Sequence, residues 1–420
     1  MKNLIFTAVL ISIFAFALAT TAYGDLNSIP TNYGISARGI GLGNAMTALS
    51  GEAAATYFNC ATLPLLTENN LGLTYIYAQP SFQGGKKGEE IDFSEKNQNV
   101  SLNLVYNMRN LFKKSWPLAL GITLTLDRNG EGFIHFRDVR NPNGEFIRYG
   151  DTSFLFATGI GVKATDWMYV GVGALGNLHA STNITLTTNL AGETSNESMD
   201  MKANLAISPA ASLFFKTKPI DIGITYRSKS YGQNGPMVVP TTATVGESKL
   251  AEMPLNIVFK DSYYPHQVAA GMTWKITEKV LWTWDLTWFN WSDFPKEVSK
   301  NDKARKDLDL KFIDTFVPQT GVEWNVVSGL FLRFGYGYDA TPVVDGGNSM
   351  NMMLDSNKHK GSLGVGYTWT NPPVLNYPFS IDAAYFHQYL VPRSMTSSDF
   401  VKYESSGNLN GGALSITLRF

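Results

Sequence analysis

From Asn70 to Phe420 apolar side chains recur at every second position, in runs of about ten residues. Val280, Trp282, Trp284, Leu286 and Trp288 form one row, against Thr283, Asp285 and Thr287. Ile220, Ile222, Ile224 and Tyr226 alternate with Asp221, Gly223, Thr225 and Arg227. Leu330, Leu332, Phe334, Tyr336 and Tyr338 alternate with Arg333, Gly335 and Gly337. A period of two is a β-strand with two unlike faces. Here the apolar face is aromatic-rich and the other is small and polar, with occasional charges. Charged residues are only 16% of the chain and aromatics 13%, which is unlike a soluble sheet protein.

The connections between runs also alternate, short then long. Short ones fall at 163–166, 216–219, 276–279, 325–329 and 370–377; long ones at 127–152, 178–200, 228–263, 292–311, 339–359 and 390–408. Loops sorted by length to opposite ends are the pattern of an outer-membrane β-barrel. Fifteen runs are strand-like, but a single-chain bacterial barrel has an even number of strands. The run 250–259 is the one to remove. It lies between an outgoing and a returning strand, and counting it would swap short turns with long loops along the rest of the chain. It belongs to an external loop, which leaves fourteen. Six tryptophans, Trp116, Trp167, Trp274, Trp282, Trp324 and Trp369, sit within three residues of a short connection or its flanking proline. They place an interfacial girdle at the short-turn, periplasmic end. The chain ends on an alternating strand from Leu414 with a terminal aromatic, Phe420.

Two segments precede the barrel. Lys2, an apolar stretch over Leu4 to Ala19 and the small-x-small pattern Ala22-Tyr23-Gly24 read as a secretory signal peptide over 1–24. Residues 25–68 lack the alternation and are rich in Gly and Ala, including Gly39, Gly41, Gly43 and Ala61. Their size suits a hatch, or plug, inside a lumen too wide for wall side chains to fill. The expected fold is therefore all-β: a 14-stranded antiparallel transmembrane β-barrel over 69–420 with a small N-terminal hatch at 25–68.

Several classes of function are excluded or weak. Lys+Arg number 34 and Asp+Glu 35, so no basic field favours nucleic acid. One cysteine, Cys60, excludes a disulfide framework and a Cys-cluster metal site. The five histidines show no metal-ligand spacing, and no nucleophile elbow or phosphate-binding loop is present. No cofactor or ATP motif occurs, so diffusion down a gradient is the expected mode of transport.

The segments Gly39 to Ala48 and Tyr57-Phe58-Asn59-Cys60-Ala61-Thr62-Leu63 resemble the FadL family of outer-membrane transporters for long-chain fatty acids and aromatic hydrocarbons. So do Tyr226-Arg227-Ser228, Trp288 to Phe294, Arg333 to Val343, Leu363 to Tyr367 and the terminal strand. The resemblance covers the chain beyond the signal peptide. One departure stands out: the family's Asn-Pro-Ala in the plug is here Asn59-Cys60-Ala61. The resemblance implies a hydrophobic ligand that binds near the outer rim, passes beside the hatch and leaves laterally at a kink in the third strand. Asn59 is then a candidate to brace the hatch, the alternative being an ordinary Asx-turn residue. Gly121 is a candidate for the kink, the alternative being close packing. Gly39, Gly41 and Gly43 would give the hatch backbone freedom. Arg227, Arg333, Asp221, Asp285 and Asp382 should face the lumen, where Arg227 or Arg333 would meet a ligand carboxylate or else pair with an Asp. Apolar loop residues at 237–240 and at Met350, Met352, Met353 and Leu354 are a candidate first binding patch or a loop–loop contact. The expected partners are a hydrophobic small molecule, outer-membrane lipid and lipopolysaccharide, and the barrel assembly machinery, with the chain a monomer. A water-filled porin or adhesin-like barrel is the alternative, and an outer-membrane lipase using His387 a remote one. Cleavage near Asp25 predicts an intact mass without residues 1–24; a mass that retains them contradicts the signal-peptide reading.

Overall fold

A computed structural model of the chain describes residues 33–86, 91–93, 96–108, 117–136, 145–189, 194–230, 237–245, 248–257, 264–294, 312–342, 344, 356–372, 376–396 and 402–420. The expected signal peptide, residues 25–32 of the hatch, Trp116 and the patch at 350–354 lie outside the described residues, as do the side chains of 237–240.

Seventeen strands form one sheet. They are β1 (Asn70–Lys86), β2 (Ile91–Phe93), β3 (Asn97–Asn107), β4 (Leu118–Phe136), β5 (Glu145–Lys163), β6 (Met168–Asn189), β7 (Thr194–Phe215), β8 (Ile220–Arg227) and β9 (Met237–Val245), followed by β10 (Ser248–Ile257), β11 (Gln267–Lys275), β12 (Val280–Phe289), β13 (Thr315–Val327), β14 (Leu330–Asp339), β15 (Lys358–Trp369), β16 (Phe379–Thr396) and β17 (Lys402–Arg419). Three of them add nothing to the circumference. β2 continues the line of β3 along β1, and β9 and β10 pair with each other. Fourteen strands remain in the wall. Each pairs antiparallel with its neighbours, and β1 closes the ring by pairing with β3 on one side and β17 on the other.

The removal of the run at 250–259 holds. That run contains most of β10, but β8 pairs directly with β11, from Ile220 opposite Trp274 to Arg227 opposite Gln267. The wall bypasses the β9–β10 hairpin, which pairs with β6 through a short parallel stretch at Thr187–Asn189. The long outer connections differ from the expectation of open loops. β4 and β5 stay paired out to Phe136 and Glu145, and β6 and β7 out to Thr188 and Thr194. Neighbouring strands already in register keep exchanging backbone hydrogen bonds beyond the apolar band, because water offers those groups nothing better than the ladder.

The two faces sort as the period requires. In β8, Asp221, Gly223, Thr225 and Arg227 are buried while Ile222, Ile224 and Tyr226 are exposed. In β14, Arg333 is buried and Phe334 and Tyr336 are exposed. Polar inside and apolar outside inverts a soluble core and suits a hydrocarbon solvent. The wall is sealed next to its C-terminus, where Phe420 and Asn69 exchange two backbone hydrogen bonds of 2.9 and 3.0 Å. Deleting Phe420 removes that last pair from the closing seam. Outer-membrane yield should fall, measured by fractionation, with less heat-modifiable protein; unchanged yield would show that the seam closes without it.

Candidate functional site

The segment from Tyr33 to Leu66 has its own short elements. The Ser36 hydroxyl accepts from the Gly39 N–H at 3.1 Å and caps α1 (Ala37–Gly41). Gly43 and Asn44 then turn the chain with φ of 64° and 62°, a conformation Gly and Asn tolerate best. Further on, α2 (Ala55–Phe58) leads into a 3-10 turn, Cys60–Leu65. Of the three hatch glycines, only Gly43 uses the freedom expected of them. Gly39 and Gly41 are helical, and Gly41 lies against Gly364 of β15.

The wall holds this segment from all sides. The Ala37 N–H donates to Ser415 Oγ of β17 at 2.8 Å. Asp285 of β12 accepts from the N–H groups of both Met46 and Thr47 at 2.8 Å through one oxygen. Thr225 of β8 donates to the Phe58 carbonyl at 3.0 Å. Arg227 of β8 donates to the Tyr57 carbonyl, reaches Gln267 at 3.1 Å, and lies 4.7 Å from the centroid of the Tyr57 ring. A segment touched from opposite sides of a closed wall lies in its lumen.

Where the plug backbone meets the wall, the wall residue is glycine. A Cβ on Gly171 would collide with the Ala61 nitrogen, on Gly159 with Cys60 Sγ, on Gly223 with the Thr47 carbonyl and on Gly335 with the Gly43 nitrogen. Gly121 belongs to this set, because a side chain there would collide with Thr56 and crowd Leu63. Its pairing is continuous on both sides, with Val105 of β3 and Gly159 of β5. The register between β4 and β5 shifts only further out, between Arg128 and Gly130. The structure thus places Gly121 at a close approach of the plug, and the third wall strand has no break there.

Asn59 makes both local and long-range contacts. Its side-chain oxygen accepts from the Ala61 N–H at 2.9 Å, an Asx turn that starts the 3-10 turn. Its amide nitrogen donates to the carbonyls of Thr47, at 2.8 Å, and Leu213 of β7, at 3.1 Å. Cys60 occupies the first position of the turn, where a proline would sacrifice no needed N–H. Because the Asn59 side chain organises the turn, cysteine is accommodated there; burial pushes its thiol pKa up to about 11.

Arg333 and Asp382 face the lumen as expected and form an ion pair, Nη1 to Oδ1 at 2.7 Å. Arg333 Nε also reaches Glu323 of β13 at 2.7 Å. Glu323 in turn takes both Nε and Nη2 of Arg38, at 2.9 and 2.8 Å. Glu52 lies 3.8 Å from Arg38, and burial raises its pKa above the usual carboxylate range, with Arg38 opposing. Arg38, Glu52 and Glu323 were not legible as a group. Glu323 sits on the inward row of β13, but 285 residues separate it from Arg38. Among the described residues no His, Cys, Asp and Glu group could hold a metal.

A closed fourteen-stranded wall with the segment from Tyr33 to Leu66 fastened to its inward face is the architecture of an outer-membrane barrel. The chain matches the outer membrane protein transport protein family (OMPP1/FadL/TodX) over residues 154–419 and belongs to it. It is 23% identical to alkane uptake protein A of Marinobacter nauticus, over 96% of this chain and 94% of that protein. Among solved structures it resembles a Pseudomonas aeruginosa FadL homologue (TM-score 0.62, 14% identity, covering 94% of this chain and 99% of that one). It also resembles the P. putida toluene transporter TodX (TM-score 0.59, 13% identity, covering 92% and 98%). As a member of that family the chain is an outer-membrane transport protein.

Two substitutions test the seating of the plug. Gly171→Val puts a side chain where the Ala61 backbone lies, so ion conductance in a planar bilayer should rise sharply while heat-modifiable mobility persists. Asn59→Ala takes this partner from the Thr47 carbonyl and the Ala61 N–H, at a cost of about 1–3 kcal/mol for each buried group left unpaired. It should give a smaller rise in conductance and leave barrel melting nearly unchanged. Wild-type conductance in both variants would show that this segment does not close the lumen.

Proposed function

We propose that the ligand is an uncharged hydrocarbon, alkane-like, which descends an apolar stripe on the lumen wall to the plug. The observation that carries this is the stripe itself. Ile76, Ala78, Phe386, Ala384, Leu409 and Ala413 face inward on β1, β16 and β17 and pack with Phe82 and with Tyr33 and Ile40 of the plug. The rings of Tyr33 and Phe386 are 5.5 Å apart. On the neighbouring β3 and β4 the inward rows are polar at Asn99, Ser101, Asn103, Thr123 and Thr125 and turn apolar, at Val105 and Ala119, only beside Leu63 and Leu66. An apolar track with few polar anchors suits an apolar ligand. The engagement of the lumen cations supports an uncharged one: Arg333 binds Glu323 and Asp382, Lys360 binds Asp339 at 2.9 Å, and Arg227 binds plug carbonyls. The alkane uptake relative agrees with this reading.

In this reading Asn59, Arg227 and Arg333 fasten the plug and its surroundings and do not grip substrate. The chain acts as a monomer, because it supplies its own plug and closes its own wall. It is a channel and not an enzyme in this reading: among the described residues His387, the hydrolase candidate, bonds to Asn410 at 2.8 Å and to no serine nucleophile. The test is uptake of labelled hexadecane and palmitate by outer-membrane-competent cells with and without the protein. Hexadecane uptake should exceed palmitate uptake and fall with Phe386→Asn. Deleting residues 26–63 should raise ion conductance and abolish selectivity between the two. Wild-type protein conducting ions like an open pore would favour the porin reading, and preferential palmitate uptake would overturn the uncharged ligand.

A further inference from the structure

Between Tyr33 and Leu66 the plug carries only two charged side chains, Arg38 and Glu52. They have opposite sign and lie 3.8 Å apart, yet Arg38 spends its short bonds on Glu323 of the wall. We propose that Arg38 is a two-position gate for transport, closed when its guanidinium sits on Glu323 and open when it turns to Glu52. The proposal rests on the uptake function given above.

Three features of the geometry support an exchange of partners. First, Arg38 has a carboxylate partner in either position. When Arg38 leaves, Glu323 keeps Arg333 at 2.7 Å, and Arg333 keeps Asp382 at 2.7 Å. Arg38 meanwhile gains Glu52 and stays near the Gly51 carbonyl, which its Nη1 already approaches at 3.4 Å. A buried ion pair broken without such replacement is strongly destabilising. Second, there is room. The Arg38 side chain is 19% exposed against 3% for Arg333. Gly51 is exposed, with a φ of 83° and no atom within 4 Å of where its Cβ would lie. Third, the rest of the plug is clamped. Asp285 holds Met46 and Thr47, and the Cys60–Ala61 backbone is wedged against Gly159, Gly161 and Gly171. A side-chain swing therefore opens the seam between α1 and β13 without unseating the fold. Glu323 lies four residues before Val327, where β13 ends at its short turn, so the seam faces the periplasmic end.

Two isosteric variants of the full-length protein separate this gate from a merely structural ion pair. Glu323→Gln weakens the closed partner and Glu52→Gln the open one. In a planar bilayer in potassium chloride, Glu323→Gln should raise the open fraction by about tenfold. Glu52→Gln should leave conductance at or below wild type, and hexadecane uptake by cells should fall several-fold. Heat-modifiable mobility should be unchanged in both, and Glu52→Asp should restore uptake. A structural role predicts the same sign for both, because either change would loosen the plug; conductance rising in both variants overturns the gate. So does normal uptake in Glu52→Gln. Conductance needs no hydrocarbon, so absent hexadecane uptake by the wild type would sink the substrate reading and leave the conductance test standing.

Discussion

The pairing of β1 with β17 is the constraint on which the rest depends. It runs from Asn70 opposite Arg419 to Lys86 opposite Tyr403. In hydrocarbon every unpaired backbone amide costs several kcal/mol, so a spanning sheet must close on itself. Closure with antiparallel neighbours sets an even strand number, and the number sets the diameter. Fourteen strands leave more space than inward side chains can fill. Such a lumen holds either water or additional protein, and here residues 33–66 occupy it.

Filling a barrel with chain poses a problem that a soluble core does not. The plug's backbone groups meet a wall whose own N–H and C=O groups are already used in the ladder. The solution has two parts. Where backbones touch, the wall has glycine, as at Gly171 and Gly223, so that the chains approach without a side chain between them. Where plug amides or carbonyls need partners, inward side chains supply them. Asp285 takes two N–H groups, and Arg227 and Thr225 reach carbonyls. The inward row of small and polar residues seen in the sequence is therefore the complement of a particular segment of the same chain.

That division explains what could be read from the sequence. Strand alternation is local, so the faces of β8 and β14 are legible residue by residue. Topology is legible through parity, which identified the 250–259 run as external although it forms a real strand. The extent of the outer hairpins was not legible, because pairing beyond the membrane band depends on a neighbour and leaves little mark on the pattern. Gly121 shows the same limit: a glycine in a strand reads equally as a kink or a contact, and only the position of Thr56 and Leu63 decides. Asn59 was legible because an Asx turn is local, and its second role, reaching Thr47 and Leu213, came from a residue type able to donate as well as accept. Arg38 and Glu323 were invisible as a pair because nothing in linear spacing joins a helix in the plug to the tenth wall strand.

The distribution of charge follows the same logic. Removing one member of a buried ion pair costs about 3–5 kcal/mol, so a plug studded with charges would be locked to its wall. Here the fixed charges, Asp285, Arg227, Arg333 and Asp382, belong to the wall and stay with it. Two of them address the plug through its backbone dipoles, which are weaker partners than counter-ions. Residues 33–66 of the plug bring one cation and one anion, 3.8 Å apart. Its holding energy thus comes from many modest hydrogen bonds and close apolar contacts, each replaceable as a neighbour moves, with Glu323 the single carboxylate shared between wall and plug cations. A segment that occludes a transport passage has to be tight at rest and inexpensive to disturb locally, and this placement of charge meets both requirements.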